Sequence, residues 1–322
     1  DLSSSSAVTH TINTANTTIA GTLSIITDNL VNLTQAHTIG GTGTFLQNFG
    51  QVTGANLTLG PTLAFNITDG GHSGAATTTV QGTGSISGTA LRLDGERIFR
   101  NEGTLTQTNA NVDMNSRRSG AAEAGNGTVT NAAGGIWNSN ATVTSSNFIL
   151  ASNQGAGDSG AGAVFTNQGT FNKQGAFITQ VRTAFNNTGS IDVQAGQLQF
   201  DTVGALTHNG TLSVASGAVL DFSSSSSVTQ TIGTAATTIA GTLSITGDNF
   251  VNFTQAHTIG GTGTFQQNFG QVTGANLTLG PALTFSITEG GHSGTATTTA
   301  QGTTAISGTG LRLDGGRIFR NE

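Results

Sequence analysis

The chain has 322 residues and a formal net charge of −6, and 8% of its residues are charged, about a third of the share usual in soluble domains. It contains no cysteine, which excludes a disulfide scaffold and any thiolate metal site. One lysine and nine arginines form no basic stripe, and no apolar run reaches the roughly 18 residues of a membrane span. We therefore expect no nucleic-acid partner and no membrane span in this segment.

The remaining composition favours many short β-strands joined by tight turns. Glycine accounts for 48 residues and phenylalanine for 17, while Thr, Asn, Ser, Gln and Ala fill most other positions. Disordered chains are usually rich in charge and proline, whereas this chain has few charges and two prolines. Helix formers such as Glu, Lys and Met are scarce, so we expect little or no helix.

A long internal repeat begins at the first residue. Residues 1–102 align without gaps on residues 221–322, at an offset of 220, with 82 identities in 102 positions. We call these segments the first and second copies. Residues 50–60 recur unchanged at 270–280. The sequence therefore predicts one complete repeat unit at 1–220 and the start of a nearly identical unit at 221–322, in one continuous solenoid within a longer tandem array.

A shorter period lies inside the unit. It consists of Asn, at most one other residue, Gly, Thr or Ser, and then an apolar residue, and it occurs at 101–105, 126–129, 167–171, 187–191 and 209–212. The spacing of its glycines, at positions 103, 127, 169, 189 and 210, indicates a coil of about 20–22 residues. This period predicts an all-β fold, a parallel β-helix (β-solenoid) of about 15 coils. Stacked asparagines at equivalent turns are expected to form amide ladders.

Alternation identifies the strands and the core within one coil. Residues 190–193 and 197–200 are predicted strands, with Ile191, Val193, Leu198 and Phe200 on the buried face. Glycine is expected at corners that need positive φ angles. Two glycine-rich stretches, residues 69–74 and 152–162, contain few apolar residues and are predicted to be loops that project from the shaft.

The short phrase and its spacing resemble the shafts of filamentous haemagglutinin-like exoproteins and of autotransporter passengers. Those shafts are right-handed parallel β-helices displayed by Gram-negative bacteria, commonly as adhesins. The resemblance covers nearly the whole chain. It implies an extracellular or cell-surface location and a bacterial source.

Charged side chains are densest between residues 92 and 102, and most of them return at the equivalent positions of the second copy. We interpret them as contacts between neighbouring coils or between fibres, and a catalytic or binding patch is the weaker alternative. The residues concerned are Arg92, Asp94, Arg97, Arg100, Arg312, Asp314, Arg317 and Arg320.

No constellation typical of catalysis or metal binding is found. Asp192 and Asp201 are the nearest to a stacked carboxylate pair, and isolated aspartates at strand ends are usually turn or cap residues. The six histidines lack metal-ligand spacing, so no metal and no cofactor are predicted. Trp137 is the only tryptophan and tyrosine is absent, so aromatic platforms for sugars are scarce.

These observations favour a structural extracellular fibre or stalk that is not an enzyme. Its predicted partners are other copies of itself, through head-to-tail or lateral contacts. One alternative is an adhesin whose projecting loops bind glycans of a host, a surface or a matrix. A weaker alternative is a β-helix enzyme that degrades polysaccharide.

Overall fold

A computed structural model describes residues 1–2, 8–117, 123–144, 147–154, 158–201, 204–224 and 227–322. Every regular element in these ranges is a β-strand, which confirms the predicted all-β class. The strands form a parallel β-solenoid with about 14 coils in all, close to the predicted number. The chain divides into two compact units, Asp1–Phe171 and Asn172–Glu322. This division follows spatial contacts, so the assignment of repeat units to 1–220 and 221–322 stays a prediction from the sequence.

The first unit contains seventeen complete strands and the start of β18. They are β1 (Thr9–Ile12), β2 (Asn16–Thr18), β3 (Thr22–Ile26), β4 (Leu30–Leu33), β5 (His37–Gly40), β6 (Thr44–Gly54), β7 (Leu57–Leu59), β8 (Ala64–His72), β9 (Thr77–Val80), β10 (Thr83–Leu93), β11 (Ile98–Asn101), β12 (Thr104–Thr108), β13 (Asn111–Asp113), β14 (Thr128–Asn131), β15 (Ile136–Asn140), β16 (Asn147–Leu150), β17 (Val164–Asn167) and β18 (Thr170–Gln174).

The second unit contains the remaining strands. They are β19 (Ile178–Arg182), β20 (Ala184–Asn187), β21 (Ser190–Val193), β22 (Gln197–Phe200), β23 (Leu206–His208), β24 (Thr211–Val214), β25 (Val219–Phe222), β26 (Thr229–Ile232), β27 (Ala236–Ile239), β28 (Thr242–Ile245), β29 (Phe250–Phe253), β30 (His257–Gly260), β31 (Thr264–Gly274), β32 (Leu277–Leu279), β33 (Thr284–Ser293), β34 (Thr297–Ala300), β35 (Thr303–Asp314) and β36 (Ile318–Asn321).

Each unit has three strand-bearing faces, and strands pair in parallel with the strand one coil away. In the first unit one face runs β2, β5, β7, β9, β11, β14 and β17. In the second unit one face runs β21, β24, β27, β30, β32, β34 and β36. The long strands β6, β8 and β10, and likewise β31, β33 and β35, turn a corner and contribute to two faces.

The register gives the coil length directly, because each residue pairs with the residue one coil further along the chain. Thr83 pairs with Thr104 in the first unit, and Val219 pairs with Thr242 in the second. These steps are 21 and 23 residues, close to the 20–22 residues predicted from the sequence.

The largest exceptions lie in the first unit, where the steps from Thr104 to Ile136, from Asn111 to Phe148 and from Val129 to Phe165 are 32, 37 and 36 residues long. Strand β13 keeps the ordinary step of 21 residues, so the extra length lies after it, mainly in residues 114–127 and 151–163. These longer connections lower the number of coils below that predicted.

The core is a set of apolar side chains stacked along the axis of each unit. Strands β21 and β22 have the predicted bounds, and the four predicted core residues, Ile191, Val193, Leu198 and Phe200, are at most 1% exposed. Aromatic rings at register-paired positions also stack, as for Phe45 and Phe65, whose ring centroids lie 6.0 Å apart. Because each side chain lies on the equivalent one of the neighbouring coil, a narrow core becomes continuous.

The glycine of the short phrase is required by close approach of the backbone. A Cβ atom at Gly103 would lie 1.9 Å from the carbonyl oxygen of Gly82, and one at Gly210 would lie 1.8 Å from that of Gly189. Neither Gly103 nor Gly210 has a positive φ angle. The expected role in left-handed corners holds for other glycines, such as Gly41 with φ of 101°.

The predicted asparagine ladder is present in the first unit. Asn101 Nδ2 donates to Asn131 Oδ1, and Asn131 Nδ2 donates to Asn167 Oδ1, each at 2.7 Å. All three side chains are fully buried. In the coil that follows the phrase at 126–129 the ladder position is taken by Asn131 and not by Asn126, since Asn126 lies among the extra residues 114–127.

The prediction that residues 69–74 form a projecting loop is wrong. Strand β8 extends to His72, and Asp69, His72 and Ser73 are at most 6% exposed. The glycines are there because side chains of the coil before lie over them: a Cβ at Gly71 would meet the carboxamide of Gln51. The other predicted loop, 152–162, contains no strand in its described residues, and its residues 155–157 lie outside the described ranges.

Replacing Gly103 by alanine should destabilise the first unit by about 2 kcal/mol or more, because the new methyl group overlaps a carbonyl oxygen of rigid backbone. Gly21→Ala is the matched control, since a Cβ there meets nothing within 4 Å. Chemical denaturation followed by circular dichroism measures both. Equal effects of the two substitutions would contradict the close-approach explanation.

Candidate functional site

The charged residues between 92 and 102 include two ion-paired arginines, Arg92 and Arg100, and two fully buried side chains, Asp94 and Arg97. Arg92 pairs with Asp69 of the preceding coil, and Arg100 Nε lies 2.6 Å from Glu102 Oε1. Asp94 Oδ2 accepts a hydrogen bond from the backbone N–H of Glu123 at 2.8 Å. Burial raises the pKa of Asp94. The ion pair of Arg92 therefore joins neighbouring coils, and a contact between fibres stays a prediction.

Arg97 lies in the interior of the solenoid and is 0% exposed. Its Nε and Nη2 atoms donate to Thr78 Oγ1 at 3.1 and 2.9 Å. Its Nη1 atom donates to the carbonyl oxygens of Gly54 at 3.0 Å and of Ala55 and Ser73 at 3.3 Å. Since residue 54 is two coils before residue 97, this one guanidinium joins three successive coils.

His72 and Gln47 extend this buried network. Thr78 Oγ1 lies 2.9 Å from His72 Nδ1, and Gln47 Oε1 lies 2.9 Å from His72 Nε2. The amide oxygen of Gln47 accepts only, so Nε2 of the imidazole carries the proton and Nδ1 accepts from Thr78. Gln47 Nε2 also donates to the Gly71 carbonyl oxygen at 3.1 Å. We call Gln47, His72, Thr78 and Arg97 the buried polar cluster.

The second unit contains the same cluster, made by Gln267, His292, Thr298 and Arg317. His292 bonds Gln267 and Thr298 at 2.9 Å each, and Arg317 Nη1 donates to the Gly274 carbonyl oxygen at 3.0 Å. All four residues are unchanged between the copies. The presence of the same four residues in both copies is the signal for the cluster in the sequence. The incorrect prediction of a loop at 69–74 placed His72 outside the core.

Burial sets the ionisation of these groups. It lowers the pKa of Arg97 to about 10, still well above neutrality, so the guanidinium stays charged. Burial, with a smaller effect of Arg97, holds the pKa of His72 well below its ordinary value, and burial lowers that of His292 to about 3. The imidazoles are therefore neutral, as the hydrogen-bond directions require. The cluster contains no exposed reactive group, and its hydrogen bonds connect neighbouring coils.

The remaining predicted charges of the second copy lie on the surface. Arg312 Nη2 lies 2.9 Å from Glu289 Oε1, and Arg320 is exposed. Asp314 Oδ1 accepts from the backbone N–H of its neighbour Gly315 at 2.7 Å. Arg317, by contrast, belongs to the interior.

The two aspartates considered as a carboxylate pair have separate partners. Asp192 Oδ1 accepts from Ser213 Oγ at 2.6 Å, and Asp201 Oδ2 lies 3.2 Å from Arg182 Nε. Within the described ranges, no group of three or more His, Asp or Glu side chains is placed to hold a metal ion. The same ranges contain no helix long and apolar enough to cross a membrane.

A surface groove in the second unit has a volume of about 400 Å³. Gly270, Gly290 and Gly291 line it together with Phe250, and an exposed aromatic ring, Phe269, stands beside it. Its polar lining consists of Ser227, Asp248, Asn249, Gln271, Glu289, His292, Ser293, Arg312 and Asp314. No pattern in the sequence predicts this groove.

Phe269 and its first-copy equivalent Phe49 lie at the surface, unlike the phenylalanines stacked in the core. They are 43% and 38% exposed, and both have positive φ angles, 123° and 73°. A bulky side chain in this region costs about 1–3 kcal/mol, and such strain is typical of functional sites. The signal in the sequence is the shared Asn-Phe-Gly run, in which alternation breaks down at a bulge.

Comparison with known proteins yields no relative: no family model, no curated protein and no solved structure matches this chain.

Arg97→Ala should lower the free energy of unfolding by about 3–5 kcal/mol. It leaves the Thr78 hydroxyl and several buried carbonyl groups without a donor, and it opens a cavity. Arg100→Ala is the matched control, with an expected loss below about 1 kcal/mol because its ion pair is exposed. Denaturant unfolding measures both, and similar losses would contradict the role assigned to Arg97.

Acid should destabilise the second unit through His208, whose pKa burial lowers to about 4. The unfolded chain binds this proton near pH 6.5 and the folded chain only near pH 4, so stability is full above about 6.5 and falls as pH drops towards 4. The loss amounts to roughly 3 kcal/mol for this residue.

His208→Asn tests this expectation. Asn187 Nδ2 donates to His208 Nδ1 at 2.8 Å, and an asparagine at 208 would continue an amide ladder without a titrating group. Unfolding at pH 7 and pH 4.5 should show a smaller stability loss in the variant. His257 and His292 leave a residual pH dependence, since burial lowers their pKa values too. An unchanged difference between the two pH values would contradict the assignment.

Proposed function

We propose that the protein is the shaft of an extracellular fibre or stalk built from 220-residue repeats. The observation that carries this proposal is the uninterrupted bonding between coils within each unit. Parallel strand pairing, stacked core rings, asparagine ladders and the buried polar cluster all run from one coil to the next. An arrangement of this kind resists separation of coils along the axis and leaves the outer surface unconstrained.

The surface supports the same proposal. Its side chains are mainly Thr, Ser, Asn and Gln. Among the charged residues of 92–102 and their copies, Arg92 and Arg312 pair with a carboxylate of the preceding coil, and Arg97 and Arg317 lie in the interior. A neutral, hydroxyl-rich surface suits a hydrated extracellular shaft. Strand edges at solenoid ends pair readily with further coils, so head-to-tail contacts between copies are part of the proposal.

The second candidate is an adhesin, in which the shaft also binds a ligand. The groove beside Phe269 favours it, because an exposed aromatic ring in a strained backbone contributes little to the core. On the sequence alone the binding was expected on projecting loops, whereas this groove lies on a strand-bearing face.

Electron microscopy of the native material, with averaging along any filament axis, tests the shaft. We expect a thin fibre with a layer spacing of roughly 4.8 Å and a longer repeat of roughly 45–50 Å, the rise of one 220-residue unit. Discrete particles without end-to-end order would contradict the fibre and shift the weight to a free-standing adhesin.

A further inference from the structure

The two long connections of the first unit, residues 114–127 and 151–163, pack on each other outside the stacked coils. Asn115 Nδ2 donates to the carbonyl oxygen of Ser152 at 2.8 Å and to that of Asp158 at 3.2 Å. These bonds join the first connection to the second. Together the two connections form a covered corner next to the end of strand β10.

Three side-chain oxygens in this corner are buried and receive no hydrogen bond from any residue that the structure describes. They are the Oδ1 atoms of Asp94, Asn115 and Asn126. Asp94 and Asn115 are 0% exposed as whole residues. A buried acceptor without a donor is costly, and in folded proteins such groups usually have a bound water or ion as their partner.

The backbone brings the three residues together. The β10–β13 register, continued two residues past its last pair, places Asp94 beside Asn115. The backbone N–H of Ser116 donates to the Leu93 carbonyl oxygen at 3.0 Å, so the two segments are still adjacent there. Asp94 also forms an antiparallel bridge with Asn126. Opposed residues of such a bridge have their Cβ atoms about 4.5–5.5 Å apart, so both asparagines are neighbours of Asp94.

Hydrogen bonds fix the orientation of two of these side chains. Both acceptors of Asn115 Nδ2 are carbonyl oxygens of the 151–163 connection, so the carboxamide has one orientation, and its Oδ1 is directed to the opposite side, where Asp94 lies. Asp94 Oδ2 accepts from the backbone N–H of Glu123 at 2.8 Å, which leaves Oδ1. A Cβ at Gly95 would meet Glu123 Oε2, so a second carboxylate lies over the same corner.

The number and type of these acceptors indicate what they bind. A water molecule donates only two hydrogen bonds, and a proton on the carboxylate would serve one neighbour, whereas a metal cation serves all three oxygens at once. Carboxylate and carboxamide oxygens are ligands of hard cations. Calcium takes about six to eight such oxygens, water included, in a flexible geometry, whereas magnesium requires a near-ideal octahedron and gives up its water reluctantly.

We propose that the Oδ1 atoms of Asp94, Asn115 and Asn126 are ligands of a calcium ion. Glu123 contributes a second negative charge, and water completes the coordination shell. The site uses one buried carboxylate and two carboxamides, and so it differs from a cluster of three His, Asp or Glu side chains, which the described ranges do not contain. The ion fastens the 114–127 connection to the end of β10. The proposal is independent of both the shaft and the adhesin.

Calorimetric titration of the whole chain with calcium chloride, after removal of metals by EDTA and dialysis, tests the site. We expect a saturable site with a dissociation constant of about 0.1–1 mM, the range of extracellular calcium modules. Magnesium chloride should bind at least tenfold more weakly. Calcium at about 10 mM should also raise the melting temperature by roughly 3 °C or more, because an ion that binds only the folded chain stabilises it.

Substitutions assign the binding to this corner. Asp94→Asn removes the charge, keeps the shape and should weaken calcium binding at least tenfold. Asp221→Asn is the matched control and should leave binding within twofold, since Asp221 is 3% exposed and both of its oxygens already have donors. Those donors are Gln197, Gln199, Ser244 and Thr246.

Asn126→Asp adds a carboxylate to the site and should tighten calcium binding severalfold, which keeps the test decisive if Asp94→Asn does not fold. Circular dichroism and thermal melts establish that each variant is folded. The proposal would be overturned by an absence of both binding heat and a melting shift at about 10 mM calcium, by equal losses in the Asp94 and Asp221 variants, or by equal affinity for magnesium.

Discussion

The structure depends on one geometric constraint, the stacking of coils at the spacing of paired β-strands, about 4.8 Å. At that distance each side chain lies directly on the one a coil earlier, and each must therefore suit its neighbour. Phe45 stacks on Phe65, and Asn101 bonds Asn131. The same closeness acts on the backbone, because Gly103 has no room for a Cβ above the carbonyl group of Gly82.

This constraint explains how far sequence reasoning reaches. A repeat of about 20–22 residues in the sequence indicates that equivalent residues of successive coils stack on one another. The fold class, the coil length and core positions such as Ile191 and Phe200 therefore follow from the pattern alone. The pattern does not report which residues of one coil touch those of the next. Residues 69–74 therefore looked like a loop, although their glycines make room for Gln47 and Gln51 of the coil before.

The candidate sites were less predictable for the same reason. The buried polar cluster combines residues 47, 72, 78 and 97 from separate coils, and the local sequence around each of them is ordinary for this chain. Retention of all four in the second copy was the only available signal. The groove also depends on register, since Gln271, Gly291 and Arg312 become neighbours only when three coils are aligned.

The buried arginine raises the question of why a charge is tolerated in a narrow core. Removing a guanidinium from water is costly, and apolar replacements of buried ionic groups are often equally stable. Stacked apolar columns, however, are alike from coil to coil and discriminate weakly between registers. The hydrogen bonds that Arg97 donates can form only in a register that places the Thr78 hydroxyl and the carbonyl groups of Gly54 and Ser73 around its guanidinium group. On this argument the cluster fixes the register of three coils, once in each copy.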